Sequence, residues 1–123
     1  MSIEKIAHRL VELCRQIQFE EAQIELYADD AKSIEPDGLP PGSLGTVEGL
    51  AAIREKGRQF RAGTEAIHSI TVSEPILISN WFSVTMSMDI TLKQYGRLTM
   101  SEVCVYHVKN DKIDREQFFY DVG

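Results

Sequence analysis

Four side chains in this sequence could move a proton: Glu35, His68, Glu116 and Tyr120. A carboxyl group enclosed by apolar neighbours is held back from ionising, and its pKa can rise by up to roughly 3–5 units when burial is complete. Such a group can take and return a proton near neutrality. Against a carbon acid beside a carbonyl, Glu35 or Glu116 would contribute roughly 10²–10⁴ in rate as general acid and base. His68 or Tyr120 would then donate a hydrogen bond to the oxygen that gains charge. The plainer reading leaves Glu35 solvated on a loop, Glu116 paired with His68 or a helix arginine, and His68 satisfied in the core. No cofactor and no metal is expected. His8, His68 and His107 have no paired spacing and no cysteine close by, and Gly42-Ser43-Leu44-Gly45 lacks the Lys-Ser/Thr ending of a phosphate loop.

The elements that must position these groups follow from hydrophobic period. Ile3, Ile6, Ala7, Leu10, Val11, Cys14 and Ile17 repeat at three-and-four spacing, with Ser2 as a cap, and predict a first helix. A second, short helix is expected over 19–27, ended by Asp29-Asp30 ahead of an extended stretch over 31–35. Pro36, Gly38, Pro40, Pro41, Gly42 and Gly45 make the next segment an irregular loop. A third helix over 48–61 turns Leu50, Ile53 and Phe60 inward and stops at Gly63. Beyond Gly63 the period becomes alternating, with strands expected over 66–73, 75–79, 81–92, 97–108 and 112–122. Helices segregated from a largely antiparallel sheet define an α+β class and a single domain over 1–123.

Strand phase decides which carboxylate faces the core. Phe82, Val84, Met86, Met88, Ile90 and Leu92 point one way, and Trp81 and its alternates point the other. With an even-numbered turn, Leu92 pairs with Arg97 and the apolar face continues through Ser101, Val103 and Val105. A two-residue turn at Asn110-Asp111 pairs Val108 with Ile113 and carries that face to Glu116, Phe118 and Tyr120. The expected pocket is then lined by Met86, Met88, Val103 and Phe118. His68, alternating with Ile70 and Val72, also falls on an apolar face. A slip of one residue would put Glu102 inside instead. In this register Glu102 shares the opposite face with Met100, Cys104, Tyr106, Arg115, Gln117 and Phe119, a mixed surface that reads as a subunit interface.

Nineteen acidic against thirteen basic residues give a net charge of −6, which disfavours a nucleic-acid partner. No apolar run approaches the roughly 18 residues of a membrane span. The first ten residues carry Glu4, Lys5, His8 and Arg9, so no secretory signal and a cytoplasmic setting are expected. Cys14 and Cys104 both sit in apolar patterns and read as buried free thiols.

Leu26-Tyr27-Ala28-Asp29-Asp30-Ala31, Ile34-Glu35-Pro36, the helix near 49–60 and the closing Lys112-Ile113…Glu116-Gln117-Phe118-Phe119-Tyr120 resemble a SnoaL-like domain, in the superfamily of nuclear transport factor 2 and ketosteroid isomerase. The resemblance covers nearly the whole chain. It implies a cystatin-like α+β barrel, cone-shaped, in which a curved mixed sheet wraps N-terminal helices and leaves a pocket open at one end. It also implies a homodimer through the outer sheet face. Members include isomerases, polyketide cyclases, dehydratases and hydrolases, and also non-catalytic modules for ligand binding or dimerisation. By this resemblance Glu35 stands where the isomerase shuttles a proton, Tyr120 where an aromatic residue lines its pocket, and Glu116 near the acid of cyclase relatives. Val11 stands in place of the isomerase's oxyanion-holding tyrosine, and Ser101 lies near the position of its protonated acid, so steroid isomerisation does not carry over. The implied function is cofactor-independent proton transfer on a small apolar or amphipathic ligand, as an isomerase, cyclase or dehydratase. The alternative is a non-catalytic module on the same fold.

Overall fold

In a computed structural model, which describes residues 1–122, the Ser2 side chain accepts the Lys5 amide and opens helix α1 (Ile3–Arg15). Its inward face buries Ile6, Ala7, Leu10, Val11, Leu13 and Cys14. Ile17 adopts a left-handed conformation, φ 60°, and the chain re-enters helix as α2 (Phe19–Leu26). Strand β1 (Tyr27–Ile34) follows without a break. Asp29 and Asp30 therefore lie inside a strand and do not precede one. The register of β1 shifts between Tyr27 and Lys32, and both acids stay exposed while Ala31 and Ser33 are buried. Such an irregularity relaxes strict alternation.

After the proline- and glycine-rich loop come the short strand β2 (Val47–Glu48) and helix α3 (Leu50–Ala62). Gly49 has φ 97°, a region costly for other residues, and its amide bonds the Ala31 carbonyl at 2.7 Å. The remaining strands are β3 (Thr64–Val72), β4 (Ile76–Ile78), β5 (Trp81–Leu92), β6 (Gly96–Lys109) and β7 (Lys112–Phe119). They form one curved, unclosed sheet in the order β2-β1-β7-β6-β5-β3, with β4 paired to β5. Only β1 and β7 run parallel. The core joins Ile6, Leu10, Leu26 and Ile53 from the helices to Phe82, Val84, Tyr106 and Ile113 from the sheet. Cys14 and Cys104 are free and buried, as their apolar settings predict. No helix among the described residues is long and apolar enough to cross a membrane.

The strand faces correct the sequence reading in two places. Leu92 pairs with Gly96, leaving Lys93, Gln94 and Tyr95 in the turn. That odd count moves Met86 opposite Glu102, Val84 opposite Cys104 and Phe82 opposite Tyr106. The inner face of β6 is thus Met100, Glu102, Cys104 and Tyr106, while Val103, expected in the pocket, is 42% exposed on the outer side. The Asn110-Asp111 turn, with φ of 52° and 62°, does pair Val108 with Ile113, the geometry of a two-residue hairpin. A bulge then inserts Asp114, so that Tyr106 meets Glu116. The two one-residue slips cancel on β7, and Glu116 still faces inward. Glu102 and Glu116 are not alternatives; both point into the cup.

Strand β3 has two register shifts, and the one between Ile67 and Ser69 makes His68 an extra residue. It is exposed and its Nε2 lies 2.7 Å from the Thr91 hydroxyl.

These faces predict opposite outcomes for two phenylalanines on the sheet. Phe82 is buried and stacked on Tyr106 at 4.9 Å, so Phe82→Ala should lower unfolding free energy by about 3–5 kcal/mol in urea titrations. Phe119 is 49% exposed, and Phe119→Ala should stay within about 0.5 kcal/mol of the parent at low protein concentration.

Candidate functional site

Lys56 organises a polar cluster between α3, β1 and the loop that follows β1. It lies three residues after Ile53 and four before Phe60, so the helical repeat of α3 turns it toward the sheet. Its Nζ donates to Ser33 Oγ at 2.7 Å, Glu35 Oε2 at 3.1 Å and the Gly45 carbonyl at 3.2 Å. An ammonium has three N–H donors, and all three are used. The side chains of Lys56 and Glu35 are only 12% and 11% exposed. Glu35 also accepts the Tyr120 hydroxyl, at 2.7 Å on Oε1. The ring of Phe118 lies 5.8 Å from the ammonium.

Deeper in the cup stands Glu116, 4% exposed. Tyr27 donates its hydroxyl to Glu116 Oε1. Ser33 stands opposite Glu116 in the β1/β7 register.

Glu102 differs from its two neighbours. Its nearest donor is the Cys104 thiol, Sγ to Oε1 3.6 Å, and a thiol is a weak donor. Burial, then the charge of Glu35, pushes the Glu102 carboxyl up to about 7. Burial likewise raises Glu116, opposed by the nearby Ser33 hydroxyl, by its bond from Tyr27 and by the Lys56 charge. The Tyr27 and Tyr120 hydroxyls are both held well above the usual range, first by burial and then by the carboxylates they face. Burial also pushes the Cys14 thiol up to about 12, which makes it an inert core group. Three carboxyls thus share one cation, and the least well bonded of them titrates near neutrality.

The structure brings Glu35, Glu116 and Tyr120 together through Lys56. Met86 and Met88 are buried on the same inner face, and Phe118 is half-buried opposite Cys104. It does not bring His68 or Val103 there. Sequence reasoning missed Lys56, Tyr27 and Ser33 as site members. For Lys56 the signal was available: it is a cation on the apolar stripe of Leu50, Ile53 and Phe60. Ser33 alternates with Ala31 and Glu35 and could have been placed by period; Tyr27 could not, because the register of β1 shifts after it. Among the described residues, no group of three His, Cys, Asp or Glu side chains is arranged to hold a metal ion.

A family model for the SnoaL-like domain matches residues 1–120. The chain belongs to the SnoaL-like family. Among solved structures, a candidate SnoaL-like polyketide cyclase from Mesorhizobium loti, also named as a carbohydrate phosphatase, is 34% identical. The match covers 98% of this chain and 100% of that one, with a TM-score of 0.89. TerC, co-crystallised with polyporic acid, shares the fold at 19% identity, covering 98% and 92% of the two chains with a TM-score of 0.78. A ketosteroid isomerase-like fold from Catenulispora acidiphila, in complex with trimethylamine, matches at 14% identity over 94% and 85%, TM-score 0.71. A search of curated proteins finds no match.

In this SnoaL-like chain the cluster sets two measurable properties. Removing one partner of a buried ion pair strands the other, so Lys56→Met should cost about 3–5 kcal/mol in urea unfolding. Glu102 has a higher pKa folded than unfolded. Its contribution to stability is therefore present below about 4.5 and lost as pH rises toward about 7. Glu102→Gln should flatten that fall and gain up to about 3 kcal/mol relative to the parent between pH 4.5 and 8. An equal difference between variant and parent at both pH values would contradict this.

Proposed function

We propose that this chain holds a small, mostly apolar or amphipathic carbonyl compound in the cup and moves a proton on it without a cofactor, as an isomerase, cyclase or dehydratase. The observation that carries the reading is Glu102: a carboxyl on the inner sheet face, opposite Met86, bonded only by a thiol and titrating near neutrality. In its ionised form it would take the proton from carbon while the electron pair moves to the carbonyl oxygen. Tyr120 would donate to that oxygen by turning from Glu35, and the protonated Glu102 would return its proton to the same or a neighbouring carbon. Glu35 and Glu116 supply the negative field that keeps Glu102 protonatable, and Lys56 limits it. Met86, Met88 and Phe118 would face the apolar part of the ligand. The polyporic acid of TerC and the trimethylamine of the Catenulispora protein support a ligand-holding role for this fold.

A second copy of the chain is proposed to pack on the outer sheet face around Val103 and Phe119, which are paired and exposed four residues along β6 and β7 from His107 and Arg115. Two buried free thiols fit a reducing compartment such as the cytoplasm.

One observation favours a non-catalytic binding module instead. The Lys56 ammonium and the Tyr27 and Tyr120 hydroxyls already have partners inside the protein, so an incoming oxyanion would have to displace one. Deuterium incorporation at the α-carbon of a flat apolar ketone such as 2-tetralone, followed by NMR in D2O, separates the two. Proton transfer predicts exchange above buffer that falls at least 100-fold in Glu102→Gln and about tenfold in Tyr120→Phe. Saturable binding with no exchange would establish the module.

A further inference from the structure

The opposite face of the sheet carries a second set of groups that the cup does not use. Cross-strand pairing puts Glu48, Lys32, Arg115, His107 and Trp81 in one row across five strands. Together with Asp30 and Asp114 they line a cleft of about 470 Å³. The bulge at Asp114 lets its carboxylate reach His107, Oδ1 to Nδ1 2.7 Å, and the His107 ring packs against Trp81 with centroids 4.5 Å apart. Trp81 remains 38% exposed.

Charge in this cleft is left uncommitted. Asp114 is engaged by His107, but Asp30, Lys32, Glu48 and Arg115 make no ion pair among the described residues. Arg115 is half-buried; its Nη2 donates to Gln117 Oε1 at 3.2 Å, and its Nε is buried without any partner. Beyond that one bond from Nη2, the terminal N–H groups of Arg115 make no other bond among the described residues and can donate to an anion in the cleft. Two free acids alongside two free bases suit a ligand carrying both charges. A net-neutral ligand also escapes repulsion by a chain of net charge −6. Trp81 lies two strands from Arg115, about 10 Å at the backbone, a gap that the arginine side chain and the indole ring close from either end.

We propose that this outer cleft binds a small zwitterion of the α-amino acid type bearing a flat apolar group. Its carboxylate lies against Arg115 and Lys32, its ammonium faces Asp30 and Glu48, and its ring rests on Trp81 and His107. The site is independent of the carboxyl cluster in the cup. Trp81 is the only tryptophan in the sequence, so its fluorescence reports the cleft directly. L-Phenylalanine should change Trp81 emission saturably. Phenylacetate, lacking the ammonium, and phenethylamine, lacking the carboxylate, should each bind at least tenfold more weakly. Arg115→Gln should weaken L-phenylalanine at least tenfold, and the exposed Lys32→Gln, which leaves the buried structure untouched, several-fold, while Glu102→Gln leaves it unchanged. Equal binding of either single-charge analogue, no saturable change, or an unaltered response in both cleft variants would overturn the proposal. So would loss of a dimer in sedimentation of Arg115→Gln with no amino acid response in the parent, since a second copy would then be the missing acceptor.

Discussion

The interior depends on one cation among three acids. Glu35, Glu102 and Glu116 all face the cup, and the Lys56 ammonium bonds Glu35 directly and also Ser33, which stands opposite Glu116 in the sheet. Burying carboxylates without compensation is prohibitive, while full compensation would leave them inert as acids and bases. The arrangement lies between these limits. Glu35 and Glu116 take the donors, and Glu102 is left with a thiol. That inequality, produced by where each strand places its carboxyl, is what gives the cup a group that changes protonation near neutral pH. The Gly45 carbonyl also bonds Lys56, so the same ammonium pins the irregular loop over the site.

Much of this was legible in the residues. Helical spacing placed α1 and α3, alternation placed β5 through β7, and the resemblance to SnoaL-like domains gave the α+β architecture that the family match and solved structures bear out. What period could not supply was parity across turns and bulges. The turn after Leu92 holds three residues, which no composition rule forced, and Asp114 is an inserted residue in a stretch that reads as regular strand. The first displaced Val103 outward and Glu102 inward; the second restored Glu116. His68 was lost to the pocket by the same kind of local insertion. A one-residue error moves every side chain of a strand to the other face, so a reading by period took Glu116 as the inward acid and Glu102 as its rival, whereas both face inward.

Bulges also explain why the two faces of the sheet differ so sharply in chemistry. Inside, strand pairing stacks methionines, aromatics and carboxyls against the helices. Outside, the row from Glu48 to Trp81 carries charges that form no ion pair with one another among the described residues. The bulge that turns Glu116 inward is the one that frees Asp114 to hold His107. One inserted residue therefore shapes both surfaces of β7.

The central claim is that Glu102 sits inside the cup in an environment that resists its charge. Carbon-13 NMR of the glutamate side-chain carboxyls across pH, assigned by loss of one resonance in Glu102→Gln, measures this directly. The account predicts a Glu102 midpoint near 7 in the folded protein. A midpoint near 4.5, the value of a carboxyl in water, would contradict it.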